Sequence, residues 1–170
     1  MLELERTFLA KYLPENLAAC KNKEIVDLYL PKEGVHPILR LRKNGDKFEL
    51  TKKVLAAGND ASQRLESTIE LTATEFATLS HLPGKTLRKR RYSYPYKNYV
   101  GDIDVFEDAL KGLVVVEFEF SSLDEMRAFV PPEFCLADVT QKDFAAGGML
   151  CGKRYRDIEQ DLKRFGYKKL

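Results

Sequence analysis

Apolar and polar residues alternate along many short segments of this chain, and few segments repeat with the period of a helix. Successive side chains of a strand point to opposite faces, so strict alternation predicts strands with two different faces. Turn-forming residues separate the alternating segments, as they do between strands. The pattern predicts strands over residues 2–9, 24–30, 37–43, 47–53, 63–71, 86–92, 98–106 and 112–120.

Short connections join several of these predicted strands. Asn44-Gly45 fits a type I′ hairpin turn, because both central residues of that turn need a positive φ. Residues 57–60 are predicted to form a longer loop, and residues 107–111 a hairpin loop. Strands that follow one another through hairpins pair antiparallel.

Three helices are predicted between and after the strands. A Thr-x-x-Glu capping box at 72–75 begins the first, which ends at Pro83, and a Ser-x-x-Glu box at 122–125 begins the second, which ends before Pro131. The third covers about 153–165, and we expect its apolar face to pack on the outside of the strands. That face holds Tyr155, Ile158, Leu162 and Phe165. The class is therefore α+β, and about eight strands are typical of a small antiparallel barrel or sandwich.

Length and composition describe one ordinary globular domain. The chain has 170 residues, of which 44% are hydrophobic and 32% charged, and no linker divides it, so residues 1–170 are predicted to form a single domain. Its net charge of +2 is far below that of a dedicated nucleic-acid binder. No apolar stretch is long enough for a membrane span and the first residues carry carboxylates, so we expect a cytoplasmic protein. Three cysteines without paired spacing and two histidines argue against a disulfide framework and a histidine metal site.

Charges are sorted by sign from strand to strand. The same-sign pairs that share one strand face are Glu3 and Glu5, Arg40 and Arg42, Lys89 and Arg91, and Glu117 and Glu119. A solvated sheet face normally mixes signs, because like charges on neighbouring positions are mildly destabilising. Sorted charge therefore favours a site that binds a cation and a polyanion together over a plain solvent-facing sheet.

The chemistry of such a site follows from the residue types. Carboxylates from neighbouring strands can hold a hard divalent cation such as Mg²⁺, which prefers oxygen ligands. Arginine and lysine pair with phosphate oxygens. Unpaired charges in a dry interior cost several kcal/mol each, so the pattern predicts a hydrated interior.

The ordered set of motifs resembles the CYTH superfamily, the triphosphate tunnel metalloenzymes. The segment 3–8, Glu-Leu-Glu-Arg-Thr-Phe, is similar to the N-terminal ExExK strand of that family. The further pieces, in the family's order, are Arg40-Leu41-Arg42, Leu50-Thr51-Lys52-Lys53, Arg64-Leu65-Glu66, Lys89-Arg90-Arg91-Tyr92, Ile103-Asp104-Val105-Phe106, Glu117-Phe118-Glu119, Phe129-Val130-Pro131-Pro132 and Asp138-Val139-Thr140. The match runs from Glu3 to about Leu150, and its specificity lies in the order of the pieces.

The resemblance implies a closed eight-stranded antiparallel β-barrel, with short helices outside, whose charged tunnel binds a triphosphate with Mg²⁺ or Mn²⁺. It implies that the metal ligands are Glu3, Glu5, Asp104, Glu117 and Glu119, with Glu66 as a helper. It implies that the phosphate-binding cations are Arg40, Arg42, Lys53, Lys89 and Arg91. The residues implied in catalysis are Glu5, Lys53 and Glu117. The implied reaction is hydrolysis of a terminal phosphoryl group of tripolyphosphate or a small organic triphosphate by a metal-positioned water.

Two features depart from the family pattern. Thr7 stands where the family has the lysine that ends ExExK, and a missing cation of this kind lowers the rate. Residues 144–149 are poor in cations and weak as a helix, where the family has a polar and basic capping helix. Lys142 and Lys153 are the nearby cations that would compensate.

Other functions compete with this interpretation. A class IV-type adenylate cyclase would release pyrophosphate from a nucleotide, and a non-catalytic module would bind polyphosphate or a nucleoside triphosphate without turnover. Residues 85–96 mix basic and aromatic residues as an RNA-binding strip does, although a strand with one inward face explains them better. The expected partner is a small triphosphate, with neither nucleic acid nor membrane, and the protein is expected to be a monomer or homodimer.

Overall fold

The computed structural model describes residues 1–56 and 58–170, and in these residues it shows a β-barrel with short helices. The strands are β1 Leu2–Ala10, β2 Asn22–Leu30, β3 Leu39–Asn44, β4 Lys47–Leu55, β5 Gln63–Leu71, β6 Lys85–Tyr96, β7 Tyr99–Phe106, β8 Val114–Phe120 and β9 Cys135–Asp138. The α-helices are α1 Ala73–Leu79, α2 Leu123–Ala128, α3 Gly147–Leu150 and α4 Tyr155–Lys163. Single 3-10 turns lie at Leu17–Ala19, Asp108–Leu110 and Asp143–Ala145.

The first eight strands close into one antiparallel barrel, which confirms the predicted fold class. Their order around the barrel is β5-β4-β3-β2-β6-β7-β8-β1, and β1 pairs back with β5 through Leu2 opposite Leu65. Further along β1, the edge that β5 leaves free is taken by β9, which pairs with Phe8 to Ala10. β1 thus has β8 on one side and, in succession, β5 and β9 on the other.

The predicted strands agree with the observed ones to within a few residues, with two differences of detail. The hairpin between β3 and β4 turns at Gly45 and Asp46, because Asn44 is the last residue of β3 and pairs with Lys47. Only Gly45 has a positive φ, of 61°, so this turn is not the predicted type I′ turn. The loop predicted at 57–60 begins at Ala57, which lies outside the described residues.

Inward-facing residues at one end of the barrel are apolar and close that end. α4 covers it, and its buried Ile158 and Leu162 belong to one cluster with Leu9, Leu87 and Phe106 of the barrel interior. The helix therefore covers the end of the barrel, where its apolar stripe meets other apolar side chains rather than a polar outer surface. Polar side chains occupy the rest of the interior.

A second apolar cluster lies on the outer face of β1, β7 and β8. Phe8 and Phe118 belong to it, and Phe129, which follows α2, packs against Phe118 with a ring-centroid distance of 4.6 Å. Burial on the outside orients these strands, so their residues of opposite parity face the interior. Within the described residues, no helix is long and apolar enough to cross a membrane.

Candidate active site

The barrel encloses a cavity of about 310 Å³ with charged walls. Alternation along the strands directs every second residue inward, and the same-sign pairs found in the sequence thereby meet in one space. The residues predicted for the site that line this cavity are Glu3, Glu5, Arg40, Arg42, Lys53, Glu66, Lys89, Arg91, Glu117 and Glu119. The structure thus brings together all of the predicted site residues except Asp104.

Carboxylates cluster where β1 lies beside β8. Glu5 is directly opposite Glu119, and Glu3 is close enough to raise the pKa of Glu119, which burial also raises. Lys53 relieves part of this repulsion, since its Nζ lies 2.6 Å from Glu3 Oε2 and 2.8 Å from Glu5 Oε2. Even so, burial raises the pKa of Glu5, with a contribution from the neighbouring Glu117. Burial and the neighbouring carboxylates therefore make the ionised forms of Glu5 and Glu119 less favourable than they are in water.

Arg91 connects three carboxylates on the adjoining wall. Its Nη1 donates to Asp102 Oδ2 at 2.8 Å, its Nη2 to Glu117 Oε2 at 2.5 Å, and its Nε to Asp104 Oδ1 at 2.7 Å. Lys89 also donates to Asp104. Asp104 is 1% exposed and lies behind these two cations, outside the cavity wall. Although burial alone would raise the pKa of Asp104, Arg91 and Lys89 lower it.

Asp27 does for Arg42 what Asp104 does for Arg91. Arg42 Nε donates to Asp27 Oδ1 at 2.7 Å and Arg42 Nη2 to Asp27 Oδ2 at 2.9 Å, in the bidentate geometry that fixes a guanidinium. Asp27 is completely buried, and Arg42 lowers its pKa against the effect of burial. Asp27 is not among the predicted site residues. The positions that share its strand face, Ile25 and Tyr29, are apolar, so no charge pattern marks this strand.

Several residues that line the cavity are also absent from the predicted site. The polar ones are Tyr29, His36, Asn44, Glu49, Arg64, Thr140 and Asp143. Arg64 was visible as part of a motif, and its inward parity with Glu66 is the signal that would have placed it here. Of the two nearby cations considered, Lys142 lines the cavity and Lys153 does not.

Small residues at 145–148 complete the wall where the family pattern has a basic helix. A Cβ built on Gly147 would lie 2.1 Å from Tyr29 Oη, and one on Gly148 would lie 2.3 Å from the carbonyl oxygen of Pro37. Only glycine lets the backbone of α3 lie this close to β2 and to the loop before β3. Residues 147–150 form a short α-helix, despite the weak helix propensity of this stretch.

The carboxylate oxygens of the cavity are the ligands that a hard divalent cation prefers, but in this structure they are paired with cations of the chain. Among the described residues, no group of three or more histidine, cysteine, aspartate or glutamate side chains has metal-binding geometry. Lys53 lies between Glu3 and Glu5, and Arg91 holds Glu117, so cations of the chain occupy the places beside these carboxylates. The donor set fits Mg²⁺ or Mn²⁺ chemically, and a bound ion would compete with Lys53 for the same oxygens.

No protein-family model matches the sequence, but individual proteins do. The chain is 31% identical over 143 residues to an inorganic triphosphatase of Nitrosomonas europaea, across 83% of this chain and 91% of that protein. A crystal structure of an inorganic triphosphatase matches with a TM-score of 0.63 and 27% identity, across 88% of this chain and 93% of that one. A candidate adenylate cyclase from Bacillus halodurans shares the fold, with a TM-score of 0.56 and 17% identity across 99% of this chain and 91% of that one.

Proposed function

Because the chain belongs to the inorganic triphosphatases of the CYTH superfamily and acts as a triphosphate hydrolase, we propose that it cleaves the terminal phosphoryl group of inorganic tripolyphosphate in its barrel with Mg²⁺ or Mn²⁺. The observation that carries this proposal is that one cavity brings carboxylates and cations together on its walls. Carboxylates of β1 and β8 and cations of β3, β4 and β6 line it together. A phosphate chain accompanied by a divalent cation complements both kinds of charge at once.

The cations are proposed to bind the phosphate oxygens. These residues are Arg40, Arg42, Lys53, Lys89 and Arg91. Arg42 and Arg91 are held in fixed orientations by Asp27 and by Asp104, so they are arranged before a ligand arrives. Arg40 Nε lies 3.9 Å from Asp27 Oδ1 and makes no hydrogen bond to a described residue, so its N–H is proposed to donate to a phosphate oxygen. Fixed donors of this kind act most strongly on charge that develops during the reaction.

The carboxylates are proposed to hold the metal. Glu3, Glu5, Glu117 and Glu119 lie on adjacent strands with their side chains in the cavity. A divalent ion bound there would offset the phosphate charge and provide an activated water. Asp104 was also expected to be a ligand, but its position supports the role of orienting Lys89 and Arg91.

Glu5, Lys53 and Glu117 are proposed to act in the hydrolysis itself. Attack by water on the terminal phosphorus forms one P–O bond and breaks the bridging P–O bond, which gives orthophosphate and pyrophosphate. Glu5 suits the acceptor of the water proton, because it is a carboxylate that lines the cavity and its pKa is raised by burial. Lys53, which contacts Glu5, would offset charge on the phosphate chain. Arg91 holds Glu117 in the orientation that this wall requires.

The direct test is release of phosphate from tripolyphosphate with Mg²⁺, with Mn²⁺ and with a chelator. We expect turnover with either ion and none with the chelator, and weaker turnover of nucleoside triphosphates. Binding of tripolyphosphate without phosphate release under any condition would instead identify a binding module. Formation of cyclic AMP and pyrophosphate from ATP would identify a cyclase, since that product requires an internal attack rather than water.

The cellular location, the binding partners and the oligomeric state are also proposals. A cytoplasmic location accords with the three free cysteines among the described residues, since disulfides are rare in that compartment. The basic residues on the outer face of β6 pair within the molecule: Arg88 with Glu24 and Asp108, and Arg90 with Glu107. This pairing leaves little free charge for RNA, and we propose a monomer or homodimer that binds only its small substrate.

A further inference from the structure

We propose that Arg64, a residue of β5, is a further substrate-binding residue that grips the phosphate chain together with Arg40. The proposal rests on the proposed function and concerns which cations of the cavity have donors left for a ligand. Arg64 lines the cavity, and its side chain is 19% exposed, so it is accessible to a substrate without being a surface residue. It stands where β5 leaves β1, in register with Glu3.

Most of the cavity's cations are already engaged by carboxylates. Arg42 binds both oxygens of Asp27, and Lys53 contacts Glu3 and Glu5. Lys89 pairs with Asp104, and Arg91 bonds three carboxylates. A phosphate must share these cations with their present partners or displace those partners. They therefore supply positive potential and fixed geometry more than free hydrogen-bond donors.

Arg64 differs from these residues in its contacts. Its Nε donates to the carbonyl oxygen of Ala61 at 3.1 Å and lies 3.4 Å from Glu5 Oε1. Its two terminal nitrogens make no hydrogen bond to a described residue. A guanidinium offers five N–H donors in a planar fork that matches phosphate oxygens, and here the outer part of that fork is free. The backbone contact at Nε fixes the group while it leaves those donors in the cavity.

The position of Arg64 also places it beside the catalytic carboxylate. Glu5 receives Lys53 at Oε2 and Arg64 at Oε1, so the two cations flank one carboxylate from neighbouring strands. A triphosphate that reaches Lys53 is therefore within the surroundings of Arg64 as well. Thr7, on the same face of β1, contributes no charge, and this makes the cation from β5 more important for substrate affinity.

The experiment compares Arg64→Gln and Arg64→Lys with the wild-type protein. Binding of tripolyphosphate is measured by calorimetry in the presence of a chelator, and KM and kcat with Mn²⁺. Because a charge-assisted hydrogen bond is lost, we expect Arg64→Gln to weaken metal-free binding by about 10- to 100-fold and to raise KM similarly. Arg64→Lys keeps the charge and should recover part of the affinity.

The matched control is Arg88→Gln, which removes an arginine from the outer face of β6 and should change neither constant. A role limited to supporting Glu5 would leave metal-free binding unchanged, and that result would overturn the inference even if kcat fell. Unfolding curves establish that each variant is folded. If Arg64→Gln does not fold, the binding of Arg64→Lys is compared with that of the wild type instead. If wild-type protein neither binds nor hydrolyses tripolyphosphate, the proposed function itself fails, which is a separate outcome.

Discussion

Thr7 lies directly opposite Glu117, across the pairing of β1 with β8. Its backbone is anchored at the same point, since Thr7 N–H donates to Thr140 Oγ1 at 3.0 Å. Arg91 Nη2 lies 2.5 Å from Glu117 Oε2, and although burial alone would raise the pKa of Glu117, Arg91 and Lys89 lower it. The position that would carry a lysine in the family is therefore an uncharged gap beside a carboxylate proposed to act in catalysis.

Restoring the cation at this gap tests whether the assigned site is the catalytic one. We expect Thr7→Lys to raise the rate of tripolyphosphate hydrolysis, or to shift the preference between Mg²⁺ and Mn²⁺, because a lysine here adds a charge beside the phosphate chain. Phosphate release at saturating substrate measures both effects. Thr7→Met controls for side-chain length without charge, and equal rates in the two variants would argue against an electrostatic role.

Removing a carboxylate should abolish metal dependence. We expect Glu5→Ala and Glu117→Ala to lower kcat by about 100-fold or more, with little response to added Mn²⁺, because each removes a proposed metal ligand. Titration of Mn²⁺ against activity and direct Mn²⁺ binding measure this. Glu24→Ala, on the outer face of β2, should behave as wild type. Normal metal dependence in both cavity variants would remove the assigned site.

Asp27→Asn should destabilise the protein by about 3 kcal/mol at neutral pH, because it leaves Arg42 buried without a charged partner. The pKa of Asp27 is lowered from 3.8 in the folded state, so its contribution to stability is complete above that value. The contribution disappears as the pH falls through the folded pKa. Urea unfolding from pH 7 to pH 2 should therefore show the wild type and the variant converging only at the acid end. A constant difference over the whole range would mean that Asp27 is not ionised.

Gly147→Ala should lower stability by about 1–3 kcal/mol, because its Cβ would lie 2.1 Å from Tyr29 Oη and force α3 away from β2. The displaced segment lines the cavity, so KM should rise as well. Adding Tyr29→Phe removes the atom in conflict and should recover part of the stability, which thermal unfolding measures. If the double variant is no more stable than Gly147→Ala, the clash lies elsewhere.

The sequence predicts the barrel well because most of its strands alternate apolar and polar residues and several of the connections between them are short hairpins. The same alternation places the sorted charges, since the parity of Glu3, Arg42 or Lys89 fixes the side to which each points. The sequence pattern did not predict β9, because this strand has only four residues and pairs with β1, which is distant in the sequence.

The roles of Asp27 and Arg64 could not be predicted from the alternation of residues along the strands. A single carboxylate among apolar neighbours has no pattern, and its role exists only once β3 brings Arg42 beside it. The number of free donors on Arg64 likewise depends on which carboxylates pair with the neighbouring cations. These facts belong to the packing of distant strands and not to any local stretch of sequence.

The dual pairing of β1 has a consequence for how the enzyme acquires its activity during synthesis. This strand is synthesised well before its partners β8 and β9, and Thr7 and Thr140, which are hydrogen-bonded to each other, are 133 residues apart. Contacts so distant in sequence form slowly. The wall on which Glu5 lies opposite Glu119 is therefore assembled only after β8 has been synthesised and has paired with β1.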